Sequence, residues 1–163
     1  MRGFTLLELI LVVGLIGMML LLAVPRFQAS LGSDRNARDI GWIMANVQAL
    51  KHRAVMDRKA YALNVNLDTD SVWLTHERMS ETEQLEAARH RHRLGGGLSI
   101  RDVEFASRGK ISSGGAAILF YKDNTCDHVL IHLEDADLRP LTVRLEPFLP
   151  QAKLTAAYAN FED

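Results

Sequence analysis

The chain has 163 residues, of which 48% are apolar and 24% are charged, with 19 lysines and arginines against 20 aspartates and glutamates. This length suits one domain with a sizeable core, and the net charge of -1 gives no global electrostatic reason to bind nucleic acid. The single cysteine, Cys126, excludes an intrachain disulfide framework and a cysteine-rich metal site. The apolar residues are concentrated at one end, because Phe4 to Val24 contains only one charged residue, Glu8.

This apolar stretch is long enough to cross a bilayer. As a helix, residues 4–24 would measure about 32 Å, which matches the hydrocarbon core of a membrane. Residues 22–26 lack the small-residue pattern of a signal-peptidase site, so a secretory signal peptide is not favoured. Glu8 would cost about 2.5–3.5 kcal/mol at the centre of such a span and less near its end. Its partner must come from elsewhere, or Glu8 must be protonated or lie at the interface.

Residues 2–9 read Arg-Gly-Phe-Thr-Leu-Leu-Glu-Leu, and this segment resembles the class III signal of type IV pilins and type II secretion pseudopilins. The resemblance implies that a prepilin peptidase cuts between Gly3 and Phe4 and then N-methylates Phe4. It also implies that Glu8 neutralises the terminal amine of a neighbouring subunit during assembly. Pro25 stands where the family has a helix-kinking proline.

After Pro25 the sequence predicts an amphipathic stalk helix over residues 26–59. Apolar residues recur there at spacings of three and four, and charged residues occupy the other faces. The apolar positions are Ile40, Ile43, Val47, Leu50 and Ala54. We expect this face to lie on a core.

From residue 60 the period changes from 3.6 to 2, which predicts a β domain over residues 60–163. Residues 61–67 and 72–74 read as a hairpin, and Ser80 with Glu83 has the spacing of a capping box that begins a short helix. A one-residue slip of the alternation at residues 101–102 predicts a β-bulge. Further strands are expected at residues 116–121, as a buried central strand, and at 128–134, 141–145 and 152–155.

Two features resemble binding sites. His128 and His132 have the spacing of a helical zinc pair, but in a strand that spacing separates them by about 13 Å, too far to share one ion. We therefore expect both on a solvated face, and we expect no metal and no cofactor. Arg89, Arg91 and Arg93 form a basic cluster, which is either a partner patch or a solvated surface.

The fold prediction is α+β and pilin-like, with a long N-terminal helix whose first half spans the membrane and whose second half packs on an antiparallel β domain. The domain organisation is a prepilin leader at residues 1–3, a transmembrane assembly helix at 4–25, the stalk helix at 26–59 and a periplasmic β domain at 60–163.

Residues 118–124, 128–133 and 141–147 resemble the closing strands of the H-type minor pseudopilins of type II secretion, the general secretion pathway protein H family. This resemblance implies a structural subunit without catalytic activity, in a pseudopilus that drives folded proteins across the outer membrane. The implied partners are other pseudopilins, the prepilin peptidase and the inner-membrane secretion platform. The implied location is the inner membrane, crossed once, with the C-terminal domain in the periplasm.

The alternative is a minor pilin of a type IV pilus or a DNA-uptake pilus. DNA binding requires an exposed patch of lysine and arginine. Only the cluster at residues 89–93 offers such a patch, and residues 161–163 are acidic at two of three positions. Nucleic acid is therefore not an expected partner.

Overall fold

The computed structural model describes residues 12–13 and 35–162. Val12 and Val13 are helical, while the rest of the predicted leader and of the transmembrane helix at 4–25 lies outside the described residues. Among the residues described, no helix is both long enough and apolar enough to cross a membrane.

Residues 35–57 form helix α1, and the predicted apolar face is confirmed. All five predicted positions are buried, from Ile40 to Ala54. The helix ends two residues before the predicted boundary at 59, because Arg58 adopts a left-handed conformation with φ of 50°. Lys59 N then donates to Ala54 O and Arg58 N to Val55 O, both at 3.3 Å. This is a Schellman ending with arginine in the position where glycine is usual.

The first sheet has four antiparallel strands in the order β3-β2-β1-β6. These are β1 (Tyr61–Asn66), β2 (Ser71–His76), β3 (His92–Arg93) and β6 (Gly115–Phe120). The predicted hairpin is confirmed, since β1 pairs with β2 from Tyr61↔His76 to Asn66↔Ser71. The short strand β3 was not predicted.

The prediction of a buried central strand at residues 116–121 is wrong, because β6 lies at an edge of the first sheet. Its buried residues alternate with more exposed ones, so only one face packs on the core. The outer edge is satisfied by two side chains and by the backbone of Asp127, whose N donates to Leu119 O at 3.0 Å, instead of a further strand. Arg108 Nη2 donates to Ala117 O at 2.6 Å, and Leu119 N donates to an Asp127 carboxylate oxygen at 3.1 Å.

Helix α2 (Glu81–Arg89) follows the hairpin and begins as predicted. Glu83 N donates to Ser80 Oγ at 3.4 Å, while Ser80 N donates to Glu83 Oε2 at 2.7 Å, so the capping box is complete. None of its residues is buried. The helix therefore lies on the surface of the domain, next to β2.

The second sheet has five antiparallel strands in the order β5-β4-β7-β8-β9. These are β4 (Ser99–Phe105), β5 (Gly109–Ile111), β7 (Val129–Glu134), β8 (Pro140–Leu145) and β9 (Lys153–Thr155). The predicted irregularity at residues 101–102 is confirmed, since the register of β4 against β7 shifts between Ile100 and Asp102. The strands predicted at 128–134, 141–145 and 152–155 are also confirmed.

Both sheets and α1 contribute to one apolar core, so the described part of the chain is α+β with a long helix packed on antiparallel sheets. Burying one large aliphatic side chain contributes about 1.5–3 kcal/mol, and Ile43, Leu63 and Leu133 are among those with no exposed surface. On the second sheet Val129, Ile131 and Leu133 face this core. The alternate residues face the other side, where the polar groups described next are found.

Candidate functional site

The sites predicted for cleavage, methylation, assembly and kinking, at Gly3, Phe4, Glu8 and Pro25, lie outside the described residues. They remain predictions. Several polar contacts among the described residues join segments distant in sequence, and three arrangements of them hold loops or the end of the chain in place.

The first arrangement fastens the loop after α2 to helix α1. Asp39 Oδ1 lies 2.9 Å from His92 Nε2, and Asp39 Oδ2 accepts a hydrogen bond from Gly95 N at 2.7 Å. One turn further along α1, the Trp42 ring stacks on His92 with centroids 4.4 Å apart and planes at 10°. A single carboxylate thus holds both the strand residue and the loop backbone, so β3 is fixed against the helix.

A shallow groove lies beside this contact and carries positive charge. Arg35 and Arg38 approach it from α1 and Arg93 from β3, around a volume of about 370 Å³. Of the predicted arginine cluster, only Arg93 lines this groove. Arg89 is exposed at the end of α2, and Arg91 is half-buried. The groove can accept an anionic group, and two of its three arginines come from a part of the sequence that the prediction did not include.

The second arrangement is a polar row on the outer face of the second sheet. Asp102 pairs with His132 across β4 and β7, and His132 pairs with Thr142 across β7 and β8. His132 Nδ1 lies 2.6 Å from Asp102 Oδ1, and His132 Nε2 lies 2.9 Å from Ala159 O. Because a carbonyl oxygen can only accept, the Nε2 atom donates to Ala159.

The prediction that His128 and His132 lie on a solvated face is wrong. His132 has no exposed surface, and His128 is half-buried with its ring against Phe161 at 4.7 Å between centroids. The reason is the C-terminal segment 156–162, which crosses this face and covers it. Strand alternation shows which side chains face away from the core, but it does not show whether another segment covers them.

The C-terminal segment is held by side chains from three strands. Tyr158 stacks on the His132 ring at 3.8 Å, and its hydroxyl donates to Asp102 Oδ2 at 3.1 Å. Thr142 Oγ1 donates to Ala157 O at 2.6 Å and accepts from Ala159 N at 3.1 Å. The buried row therefore anchors the end of the chain.

Asp102, Glu104 and His132 also lie close enough together to hold a metal ion, with their ligand atoms within 4.8 Å of one another. Both ring nitrogens of His132 already face acceptors, however. A metal ion would have to displace Asp102 or Ala159 from the ring. The geometry fits the anchoring of the C-terminal segment better than it fits metal binding.

The third arrangement is a buried lysine that holds the loop after β8. Lys51 is 5% exposed, and its Nζ donates to Glu146 O at 2.9 Å, to Pro147 O at 3.2 Å and to Leu149 O. The Cys126 thiol also donates to Glu146 O, at 3.4 Å. Burial raises the pKa of the Cys126 thiol, so the thiol stays protonated and unreactive at neutral pH.

Sequence reasoning did not single out Asp39, Lys51 or Asp102 as residues of a site. Lys51 gave a weak signal, since it adjoins Leu50 and follows Val47 by four positions in an amphipathic helix. The partners of Asp39 and Asp102 are more than 25 positions away, and no local pattern identifies them.

No protein-family profile matches the sequence, and no curated protein matches it. Solved structures do match the fold. The crystal structure of the minor pseudopilin EpsH from the type II secretion system of Vibrio cholerae superposes with a TM-score of 0.55 at 11% identity, over 78% of this chain and 97% of that one. A second structure of the same minor pseudopilin gives a TM-score of 0.51 at 9% identity, over 75% and 97%. The chain therefore has the pilin-like fold of the H-type minor pseudopilins.

Proposed function

We propose that this chain is a minor pseudopilin, a structural and non-catalytic subunit of a type II secretion pseudopilus. The proposal depends on two features that occur together in this chain, a sequence motif and a fold. A segment with the prepilin motif, residues 2–9, precedes a domain with the fold of H-type minor pseudopilins. The motif comes from the sequence alone and the fold from the described residues alone, so the two lines of support are independent.

In this proposal the prepilin peptidase cuts after Gly3 and methylates Phe4, and residues 4–25 cross the inner membrane once. The described domain lies in the periplasm, where it contacts other pseudopilins, and the secretion platform extracts the subunit into the filament to drive export. Glu8 neutralises the ammonium group of a neighbouring Phe4. Two opposite charges 4 Å apart attract by at most about 4 kcal/mol at an effective dielectric constant near 20. This attraction offsets part of the cost of burying each charge.

The polar row of the second sheet fits a structural role. Asp102, His132 and Tyr158 have the residue types of a catalytic site, but His132 is fully buried and uses both ring nitrogens to hold neighbouring groups. A general base needs a free lone pair within reach of substrate. The row instead stabilises a folded domain that must survive extraction from the membrane.

The processing test is the intact mass of the full chain extracted from membranes of cells that contain a prepilin peptidase. We expect a mature chain that begins at Phe4 and carries one added methyl group. A chain that still begins at Met1, or one that starts beyond Val24, would contradict the proposal.

The assembly test is Glu8→Ala. We expect normal processing but at least about tenfold less incorporation into filaments, because the Phe4 ammonium loses its partner and 1.4 kcal/mol corresponds to about a factor of ten. Glu86→Ala, which changes an exposed glutamate on α2, is the matched control and should assemble like wild type. Equal incorporation of the Glu8 variant and wild type would refute the role of Glu8.

A further inference from the structure

The shallow groove beside the contact of Asp39 with His92 brings together three arginines from two elements of the fold. Arg35 and Arg38 lie three positions apart on α1, so their side chains leave the same face of the helix. Arg93 belongs to β3, and all three side chains are exposed. Two elements that are distant in sequence therefore direct positive charge at one volume of about 370 Å³.

The position of Arg93 relative to α1 is fixed by its neighbours. The preceding residue, His92, lies 2.9 Å from Asp39 Oδ1 and stacks on the Trp42 ring. Gly95 N donates to Asp39 Oδ2 at 2.7 Å. The backbone on both sides of Arg93 is therefore held to the helix that carries the other two arginines. A site whose charged groups are already in place loses less conformational entropy when it binds a ligand.

The carboxylate within the groove does not cancel this positive charge. Asp39 is the only acidic residue that lines the groove, and both of its oxygens already face donors, on His92 and Gly95. Within the described part of the chain, no carboxylate forms an ion pair with Arg35 or Arg93. These two guanidinium groups are therefore available to an anionic ligand.

The arrangement of the guanidinium groups favours phosphate over carboxylate. A guanidinium group binds either anion through two parallel N–H donors. A carboxylate has two oxygens in one plane and one such fork occupies both, whereas a phosphate ester offers oxygens in tetrahedral directions and can accept from arginines on two elements at once. A volume of about 370 Å³ is in the usual range of small-molecule sites, so the groove also has room for the group esterified to the phosphate.

We propose that this groove binds the phosphate group of a phosphate ester through Arg35, Arg38 and Arg93. Two sources share this chemistry, the headgroup of an anionic phospholipid and a soluble phosphate ester. The lipid source rests on the proposed function, because it requires residues 4–25 to hold the groove near a membrane. The soluble source does not depend on that function.

The test follows the indole N–H of Trp42 by NMR in the full chain. The chain has two tryptophans, and Trp73 lines a different pocket, so its indole signal is the internal reference. Glycerol 3-phosphate, added in a neutral detergent, is the soluble probe, and acetate at equal ionic strength is its carboxylate control. Nanodiscs of phosphatidylglycerol, compared with nanodiscs of phosphatidylcholine, are the lipid probe.

We expect one of the two phosphate probes to shift the Trp42 signal without shifting that of Trp73, and the probe that does so identifies the source. Arg93→Gln should weaken the binding of glycerol 3-phosphate at least tenfold, or remove the difference between the two kinds of nanodisc, because a charge-assisted contact is lost. The matched control is Arg89→Gln. It removes the same charge from an exposed position that does not line the groove, and it should bind like wild type.

Three results would overturn the inference: no shift of the Trp42 signal with either phosphate probe, equally tight binding of acetate, or equal losses in Arg93→Gln and Arg89→Gln. The intact mass of the same samples reports N-terminal processing. A correctly processed chain that binds neither phosphate probe leaves the proposed function standing. An unprocessed chain that binds glycerol 3-phosphate counts against that function alone.

Discussion

Replacing Asp102 by alanine tests whether the polar row anchors the end of the chain. The substitution removes the acceptor that lies 2.6 Å from His132 Nδ1 and 3.1 Å from the Tyr158 hydroxyl. Both side chains of the Asp102–His132 pair are almost fully buried, with 6% and 0% of their surface exposed. Removing one member of such a pair leaves the other without its partner and costs about 3–5 kcal/mol.

The expected consequence is a global and a local loss of stability. For a domain of this size, 3–5 kcal/mol lowers the midpoint of thermal unfolding by about 10–15 °C. Hydrogen exchange of the full chain in detergent should show lower protection at Ala159, whose amide donates to Thr142. Asp137→Ala, at an exposed carboxylate in the turn beyond β7, is the control and should change stability by less than about 0.5 kcal/mol.

A double-mutant cycle with His132→Ala isolates the pair itself. Because the two side chains are in contact, the cycle should give a coupling energy of about 2 kcal/mol. Additive effects of the two substitutions, or unchanged protection at Ala159 in Asp102→Ala, would refute the anchoring role.

Two further predictions concern turns. Gly97 has φ of 84°, and an added Cβ would come within 2.6 Å of the Ala136 side chain, so Gly97→Ala should destabilise by more than about 2 kcal/mol in urea unfolding. Gly109 has φ of 80° with open space around it, so Gly109→Ala should cost only about 1–2 kcal/mol, and equal losses would contradict the predicted clash. Burial raises the pKa of Asp135, but the hydrogen bonds from Arg139 and from the Asp137 amide together outweigh it and hold that pKa below its ordinary value. This carboxylate therefore stabilises the fold above about pH 4 and loses that contribution as the pH falls below about 4. The difference in unfolding free energy between wild type and Asp135→Ala should therefore shrink in acid. A difference that grows in acid would contradict this role of Asp135.

Local patterns predicted most elements of the fold, but not the short strands β3 and β5. Four of the predicted features depend on residues within a few positions of one another. These are the apolar face of α1, the first hairpin, the capping box at Ser80 and the bulge before Asp102. Sheet order is different, because it depends on pairings between distant strands. The apolar run of β6 therefore indicated a central strand, although Arg108 and Asp127 satisfy its outer edge.

The candidate sites were less predictable than the elements. The burial of His132 depends on a segment 27 positions later that folds back over the sheet, and Asp39 reaches a partner 53 positions away. Titratable residues on an outward-facing position look alike in sequence whether water or another segment covers them. The N-terminal motif was recognisable because its chemistry is contained in eight consecutive residues, 2–9.

Two sets of hydrogen bonds that join α1 to the sheets determine how the domain responds to a force along the helix. Asp39 holds the first sheet through His92, and Lys51 holds the second through the loop after β8. They lie twelve positions apart, or about 18 Å along the helix. An apolar stripe alone resists separation but allows sliding, whereas directional hydrogen bonds at two heights oppose both sliding and rotation. A pull on the helix is therefore transmitted to both sheets as shear, shared among several bonds, and the domain travels with its helix as one body.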